Sequence, residues 1–207
     1  MHLVLASASP RRAELLRAAG FTFETIVADV DEQVREGESP SVYVRRLAAE
    51  KSAAALSTVV SGFSRTGDDG LPEGGHYRYV VLGADTAVVV DGDILGKPRD
   101  EDDAAAMLRR LSGRCHDVLT GVSLRHGAYE IGRVETTSVQ FAALSDADVA
   151  WYVASGEGRD KAGAYAIQGL ASRFIPRIDG SYSNVVGLPV ACVVKLLTEI
   201  RQGHPEP

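Results

Sequence analysis

The chain has 207 residues, of which 45% are hydrophobic and 24% are charged, and a formal net charge of −6 at pH 7. This mixture is typical of a globular protein and excludes a disordered polar chain, and the length fits one domain over residues 1–207. The acidic balance argues against binding to a nucleic acid polymer or an anionic membrane, so any phosphate binding must be local.

The cysteines and the apolar runs bear on location. Cys115 and Cys192 lie far apart and show neither a disulfide framework nor zinc-ligand spacing, which favours a reducing compartment. The chain does not start with a basic segment and a long apolar run, and no apolar stretch reaches the length of a membrane span. We therefore expect a cytoplasmic protein.

In chain order, the first half predicts strand, helix, strand and helix. The first strand covers residues 3–7, and the helix after it ends at Ala19 because Gly20 follows. A strand over 21–27 and a helix over 39–56 come next. Residues 61–78 are rich in Gly, Ser and Asp without periodicity, which predicts a mobile surface loop.

The second half adds hairpins to this alternation. A strand over residues 79–90 turns back through 91–93, and two further strands flank Gly127. Because hairpins bring antiparallel strands into the sheet, the predicted class is α/β with a mixed twisted sheet and flanking helices. The remaining predictions are strands over 117–125 and 130–141, helices over 101–111, 145–154 and 189–200, and a disordered tail over 202–207.

The start of the first helix is electrostatically unusual. Ser9 is a good N-cap and Pro10 fits the first helical position, so Arg11 and Arg12 fall in the first turn. Acidic side chains are preferred there, because the helix dipole is positive at that end. Free N–H groups and two guanidiniums together predict an anion site, with a solvated arginine pair as the alternative.

Three further residues are candidates for a phosphate site. Asp85 shares a strand face with Gly83 and Ala87, which predicts a carboxylate at a pocket floor rather than a solvent-facing edge strand. Lys51 lies on the apolar face of its helix, where a ligand role and simple snorkelling are equally open. Lys97 follows the hairpin of Asp85, and by itself it reads as a surface lysine.

Two polar segments stay ambiguous by themselves. Asp29, Asp31 and Glu32 form an acidic cluster that is ordinarily a solvated loop, but beside a phosphate site each of them is a candidate Mg²⁺ ligand. Gln168, between Ile167 and Gly169, is able to present a donor and an acceptor to a base edge, although a loop glutamine is the default.

Six segments in this order resemble the Maf-like nucleoside triphosphate pyrophosphatase family, over nearly the whole chain. They cover residues 5–12, 83–86, 95–98, 113–122, 161–169 and 183–189. The resemblance implies an elongated α/β fold similar to that of inosine triphosphate pyrophosphatases, a divalent metal (Mg²⁺ or Mn²⁺), and a homodimer as a candidate assembly. The Ala-Ile-Gln-Gly form around Gln168 resembles the branch that acts on dTTP and UTP.

The resemblance also implies roles for particular residues. Asp85 matches the family's proposed catalytic base, and Glu32 with Asp85 becomes the expected metal pair. Arg11, Thr86 and Gln168 match positions linked to substrate choice, whereas the other expected pocket residues are Ser7, Arg12, Lys51 and Lys97. The implied reaction cleaves a nucleoside triphosphate into the monophosphate and pyrophosphate. Two alternatives stay open: a 7-methyl-GTP pyrophosphatase, and a non-catalytic nucleotide sensor that regulates septum formation.

Overall fold

The computed structural model describes residues 2–63 and 79–203. Seven strands, six α-helices and two short 3₁₀ helices lie within these ranges. The strands are β1 His2–Ala6, β2 Phe23–Ile26, β3 Tyr79–Val90, β4 Asp93–Leu95, β5 Cys115–His126, β6 Tyr129–Gln140 and β7 Arg177–Asp179. The helices are α1 Pro10–Ala18, α2 Pro40–Phe63, α3 Glu101–Leu111, α4 Asp146–Ala154, α5 Tyr182–Val186 and α6 Val190–Gly203, with 3₁₀ turns at Ala162–Ala164 and Leu170–Phe174.

The strands form one mixed sheet in the order β2-β1-β3-β5-β6-β7, with β4 paired to β3. β1 runs parallel to β2 and β3, whereas the pairs β3–β4, β3–β5, β5–β6 and β6–β7 are antiparallel. The predicted α/β class with a mixed sheet and flanking helices is confirmed. β1 ends beside Gly83, so the next residues of β3, including Asp85, lie just beyond the carboxyl end of a parallel strand. Ligands of open α/β sheets commonly bind at such an edge.

Helix α2 covers one face of the sheet at very short range. A Cβ atom on Gly83 would lie 2.1 Å from the carbonyl oxygen of Ala48, and one on Gly121 would lie 2.1 Å from that of Val44. Glycine is therefore required at both positions for helix and sheet to approach so closely. Val44 and Ala48 are fully buried, and Lys51 continues the same stripe, as the periodicity predicts.

The opposite face of the sheet carries two separate apolar clusters. One packs α1 and α6 against the N-terminal half of β3, through residues such as Leu16, Leu82 and Ile200. The other packs α3, α4 and the segment around Tyr165 against Val88 and its neighbours. The two clusters meet β3 on either side of residue 86, which leaves a cleft between them.

Several predicted boundaries were wrong. α2 continues to Phe63, so residues 61–63 are helical; the rest of the predicted loop, 64–78, lies outside the described residues. The hydroxyls of Ser57 and Thr58 donate to carbonyls one turn earlier in α2, so these polar residues do not end the helix. α6 likewise continues to Gly203, which places residues 202–203 in the helix, and 204–207 lie outside the described part.

Within the described ranges, no helix combines the length and apolar character that crossing a bilayer requires.

The contact at Gly83 predicts a loss of stability for Gly83→Ala. The added methyl group would collide with α2 backbone, and overpacking of this kind costs about 2–3 kcal/mol. We expect Tm to fall by about 5–10 °C in thermal unfolding. Gly96→Ala is the control, because a Cβ there meets no atom within 4 Å. Equal Tm values for Gly83→Ala and the wild type would contradict the close approach.

Candidate active site

The cleft between the two clusters has a volume of about 630 Å³. Its walls come from the β1–α1 junction, α2, β3, the residues after β4, the segment before Gly169, and the end of α5. All nine residues selected from the sequence line it: Ser7, Arg11, Arg12, Glu32, Lys51, Asp85, Thr86, Lys97 and Gln168. The structure thus brings the predicted residues together, and their roles remain predictions.

Lys51 joins two carboxylates at the centre of the cleft. Its Nζ atom donates to Asp85 Oδ1 at 2.7 Å and to Glu32 Oε1 at 2.6 Å. The side chain of Asp85 is 12% exposed and that of Lys51 is 10% exposed. Asp85 is therefore not on a solvent-facing edge strand, and its buried charge is compensated by a partner from the apolar face of α2.

Glu32 is the more exposed member of this group. Its burial favours the neutral acid, but the hydrogen bond and charge of Lys51, together with Lys97 and Arg12, outweigh that effect and lower its pKa. Asp31 instead accepts a hydrogen bond from the backbone of Gln33 and does not line the cleft. Of the three acidic candidates, Asp29, Asp31 and Glu32, only Glu32 lines the cleft.

Tyr43 and Arg46 hold the loop that carries Glu32. The Tyr43 hydroxyl donates to the Glu32 carbonyl at 3.0 Å, and Arg46 donates to the Gln33 carbonyl and to both carboxylate oxygens of Glu38. Burial, followed by the charges of Asp85 and Glu32, raises the pKa of Tyr43 to about 12, so its hydroxyl keeps the proton that it donates. The loop is thereby fixed to α2.

Arg12 is held in one orientation by three acceptors. Its Nε donates to the Gly187 carbonyl at 2.8 Å, Nη1 to Ser7 Oγ at 3.1 Å, and Nη2 to Thr86 Oγ1 at 3.0 Å. Burial lowers the pKa of Arg12, while Asp85 and Glu32 raise it; arginine remains protonated at neutral pH in any case. A guanidinium has five N–H donors, so two of them stay available to a ligand.

Helix α5 places the acceptor for Arg12. The Asn184 side chain is fully buried and donates to the Val118 carbonyl and to Thr137 Oγ1, each at 2.9 Å. These bonds tie α5 to β5 and β6. Gly187 follows α5 with φ of +127°, which only glycine adopts readily, and this turn directs its carbonyl towards Arg12.

Two other cations and the glutamine also line the cleft. Within residues 2–63 and 79–203, the side chains of Arg11, Lys97 and Gln168 have no hydrogen-bond or ion-pair partner. The first turn of α1 holds no acidic side chain to offset its arginines. Five cationic and three anionic side chains line the cleft, so it is positive in a protein whose formal net charge is −6. Such a cleft suits an anionic ligand.

Tyr43, Asp160 and Lys161 also line the cleft, and no role was predicted for them. Tyr43 precedes Lys51 by two helical turns, so the two residues lie on the same face of α2. An aromatic residue on that face is ordinarily interpreted as part of the hydrophobic core. Asp160 and Lys161 also line the cleft and form an ion pair with each other. Their loop has no periodicity, and this pairing was not visible in the sequence.

Comparison with known proteins decides the family. Residues 2–200 match the model of the family described as Maf-like protein. The chain belongs to this family. A Shewanella oneidensis relative named dTTP/UTP pyrophosphatase is 50% identical over 96% of this chain and 98% of its own length. Relatives of the same name from an Anaeromyxobacter species and Hahella chejuensis are 48% and 51% identical over 99% and 95% of this chain, and 91% of their own length in each case.

A solved structure was also compared with this Maf-like protein. The Staphylococcus aureus Ham1 protein aligns with 98% of this chain and 99% of its own, at 11% identity and a TM-score of 0.45. A similarity of this size does not establish a shared fold.

The carboxylates of this Maf-like protein fit a divalent cation only with help from a ligand. No group of three or more Asp, Glu, His or Cys side chains suited to a metal occurs in the described ranges. Asp85 and Glu32 each give one oxygen to Lys51 and retain a second. Mg²⁺ commonly takes one or two carboxylates, completed by phosphate oxygens and water. The donor set therefore fits a metal that arrives with a phosphorylated ligand.

The Lys51 bridge predicts a pKa change in Lys51→Met. In the wild type, the lowered pKa of Glu32 stabilises the fold above the ordinary glutamate pKa, and this contribution is lost as the pH falls through the folded-state value. Without the ammonium, burial opposes ionisation with less compensation, so the Glu32 pKa rises. A pH titration of the side-chain ¹³C carboxyl shift measures it, with the exposed Lys195→Met as control. An unchanged Glu32 pKa in Lys51→Met would refute the bridge.

Proposed function

We propose that this protein is a nucleoside triphosphate pyrophosphatase that hydrolyses dTTP and UTP to the monophosphate and pyrophosphate. The observation that carries the proposal is the buried Asp85 carboxylate in a cleft lined by cations, within a chain about half identical to relatives of that name. The substrates are proposed from the names of the relatives, and the type of reaction from the charged side chains of the cleft.

The cations account for binding and for the leaving group. Arg11, Arg12, Lys51 and Lys97 surround the cleft and offset the charge of a triphosphate. As the bond between the α-phosphorus and the bridging oxygen breaks, negative charge grows on the departing pyrophosphate. Donors that already point to that position stabilise the charge without rearrangement. Arg12 meets this requirement best, because three acceptors fix its orientation.

Asp85 is the proposed general base. Oδ1 is held by Lys51, which leaves Oδ2 to orient a water molecule and accept its proton during attack on the α-phosphorus. Glu32 and Asp85 would hold Mg²⁺ or Mn²⁺, which supplies charge neutralisation and a lower pKa for bound water. Ser7 and Thr86 contribute by keeping Arg12 in place.

Gln168 is the proposed reader of the base. Its amide is exposed at the edge of the cleft and has no partner in the described residues. The carbonyl oxygen is able to accept from N3–H of thymine or uracil while the NH₂ group donates to a ring carbonyl. Cytosine lacks the N3–H donor, so the same contact favours dTTP and UTP.

Four further features belong to the proposal. We infer a cytoplasmic location from the cysteine pattern, which favours a reducing compartment. A house-cleaning role, a single domain and a homodimer follow from the family resemblance.

A substrate panel tests the function. We expect pyrophosphate release from dTTP and UTP in the presence of Mg²⁺ or Mn²⁺, and much less from CTP, GTP and 7-methyl-GTP. Pyrophosphate is measured with a coupled assay on the full chain, with and without chelator. No release from any nucleotide, together with measurable binding, would favour the sensor alternative. Preference for 7-methyl-GTP would remove Gln168 from its proposed role.

Asp85→Asn tests the base directly. The amide oxygen still accepts from Lys51, so the fold is retained, but the side chain no longer takes a proton. We expect kcat for dTTP to fall by at least about 100-fold, in the range of general-base contributions, while the Kd measured by calorimetry changes little. Asp93→Asn, which alters an exposed ion pair with Arg110, is the matched control. Near-normal turnover in Asp85→Asn would show that the base assignment is wrong.

A further inference from the structure

The segment that carries Gln168 has little regular structure of its own. It lies between the 3₁₀ turns Ala162–Ala164 and Leu170–Phe174, and its glutamine is exposed. A residue that distinguishes bases must be held within a fraction of an ångström, and loops achieve this only with external support. The hydrogen bonds of the segment identify that support.

A single carboxylate binds the segment on its C-terminal side. Glu157 Oε1 accepts from the backbone N–H of Leu170 at 2.9 Å, and Oε2 accepts more weakly from that of Ala171 at 3.4 Å. Charge-assisted hydrogen bonds to backbone amides are stronger than neutral ones. Glu157 lies just after α4 and does not line the cleft.

The same carboxylate reaches the N-terminal side of the segment through Tyr152. The Tyr152 hydroxyl donates to Glu157 Oε2 at 2.8 Å and accepts from the backbone N–H of Ala166 at 3.1 Å. Burial and then the bond to Glu157 raise the pKa of Tyr152, so the hydroxyl stays protonated and donates to the carboxylate. The side chain of Tyr152 is 1% exposed in the apolar core, which makes it a rigid anchor.

Packing at Gly169 shows how closely the segment lies on the carboxylate. A Cβ atom at Gly169 would be 1.8 Å from Glu157 Oε1, so any side chain there would displace this carboxylate. One residue after Glu157, a Cβ at Gly158 would be 2.1 Å from the Ala164 carbonyl oxygen. The turn at 157–158 and the segment 164–169 thus contact each other at both ends.

We propose that Glu157 is a positioning residue for base selection: through Tyr152 on one side and Leu170 on the other, it holds Gln168 where it meets the pyrimidine. The inference rests on the proposed function for its substrate and on the observed hydrogen bonds for its mechanism. Glu157 itself touches no substrate. Its removal leaves phosphate binding intact and loosens the discrimination between bases.

Amide hydrogen exchange tests the hydrogen bonds without any nucleotide. In Glu157→Gln, the amide NH₂ is unable to accept, so at least one of the bonds is lost. We expect exchange to accelerate about tenfold or more at Leu170 or Ala171, whichever backbone amide faces the new NH₂ group, with Tm close to the wild type. In Tyr152→Phe, the acceleration falls on Ala166 instead. Glu199→Gln on α6, which alters an exposed ion pair with Arg133 of β6, is the control and leaves these amides unchanged.

Kinetics test the consequence for selection. We expect Glu157→Gln to lower the ratio of kcat/KM for dTTP over dCTP by about tenfold, mainly through KM for dTTP, whereas a purely structural defect lowers both substrates equally. Gln168→Ala lowers the same ratio. The double variant Glu157→Gln/Gln168→Ala is expected to match Gln168→Ala alone, because both changes remove one contact.

The outcomes separate this inference from the proposed function. If the wild type hydrolyses neither dTTP nor UTP, the proposed function fails, and the amide exchange still reports on the hydrogen bonds. Wild-type exchange at Leu170, Ala171 and Ala166 in the variants would overturn the inference. A changed ratio without changed exchange would also overturn it, since Glu157 would then act through its charge on Arg11. The inference would also be overturned if the two substitutions lowered the dTTP/dCTP ratio of kcat/KM multiplicatively in the double variant.

Discussion

The ammonium of Lys51 between Asp85 and Glu32 is the interaction on which the site depends. A carboxylate buried in a valine-rich strand is unfavourable without a nearby positive charge, and the charge comes from the apolar face of α2. α2 lies close enough to provide it because Gly83 and Gly121 remove the side chains that would otherwise separate helix and sheet. The close packing of α2 on the sheet is therefore what allows the charge of Asp85 to be paired.

The other charged side chains of the cleft form two sets: those that protein hydrogen bonds hold in place, and those without such bonds in the described residues. Arg12 is oriented by the Gly187 carbonyl and two hydroxyls, and Glu32 by a loop that Tyr43 ties to α2. Arg11 and Lys97 have no such partners in the described part of the chain. Fixed groups suit the reacting phosphorus, where position matters most, whereas free cations adapt to a flexible triphosphate. The segment that carries Gln168 is also fixed, because Glu157 and Tyr152 accept hydrogen bonds from its backbone and its neighbours.

The sequence predicted what periodicity and charge determine. Alternation in β3 placed Asp85 correctly, and the helix period placed Lys51 on the buried face. Two stop positions were wrong, because α2 and α6 continue past the residues expected to end them. β7 and the short helix α5 were missed because elements of three to five residues leave no period to read. The hydrogen bonds of Glu157 were not predicted either. No local sequence feature distinguishes a loop carboxylate that accepts hydrogen bonds from backbone N–H groups from one that is solvated.

The position of bond cleavage tests the central claim, that this cleft presents a triphosphate to Asp85 for attack at the α-phosphorus. Hydrolysis of dTTP in H₂¹⁸O, followed by mass spectrometry of both products, reports which phosphorus receives the water oxygen. Attack at the α-phosphorus predicts ¹⁸O in dTMP and none in pyrophosphate. Label in pyrophosphate, with unlabelled dTMP, would show attack at the β-phosphorus and would contradict the arrangement of base and cations described here.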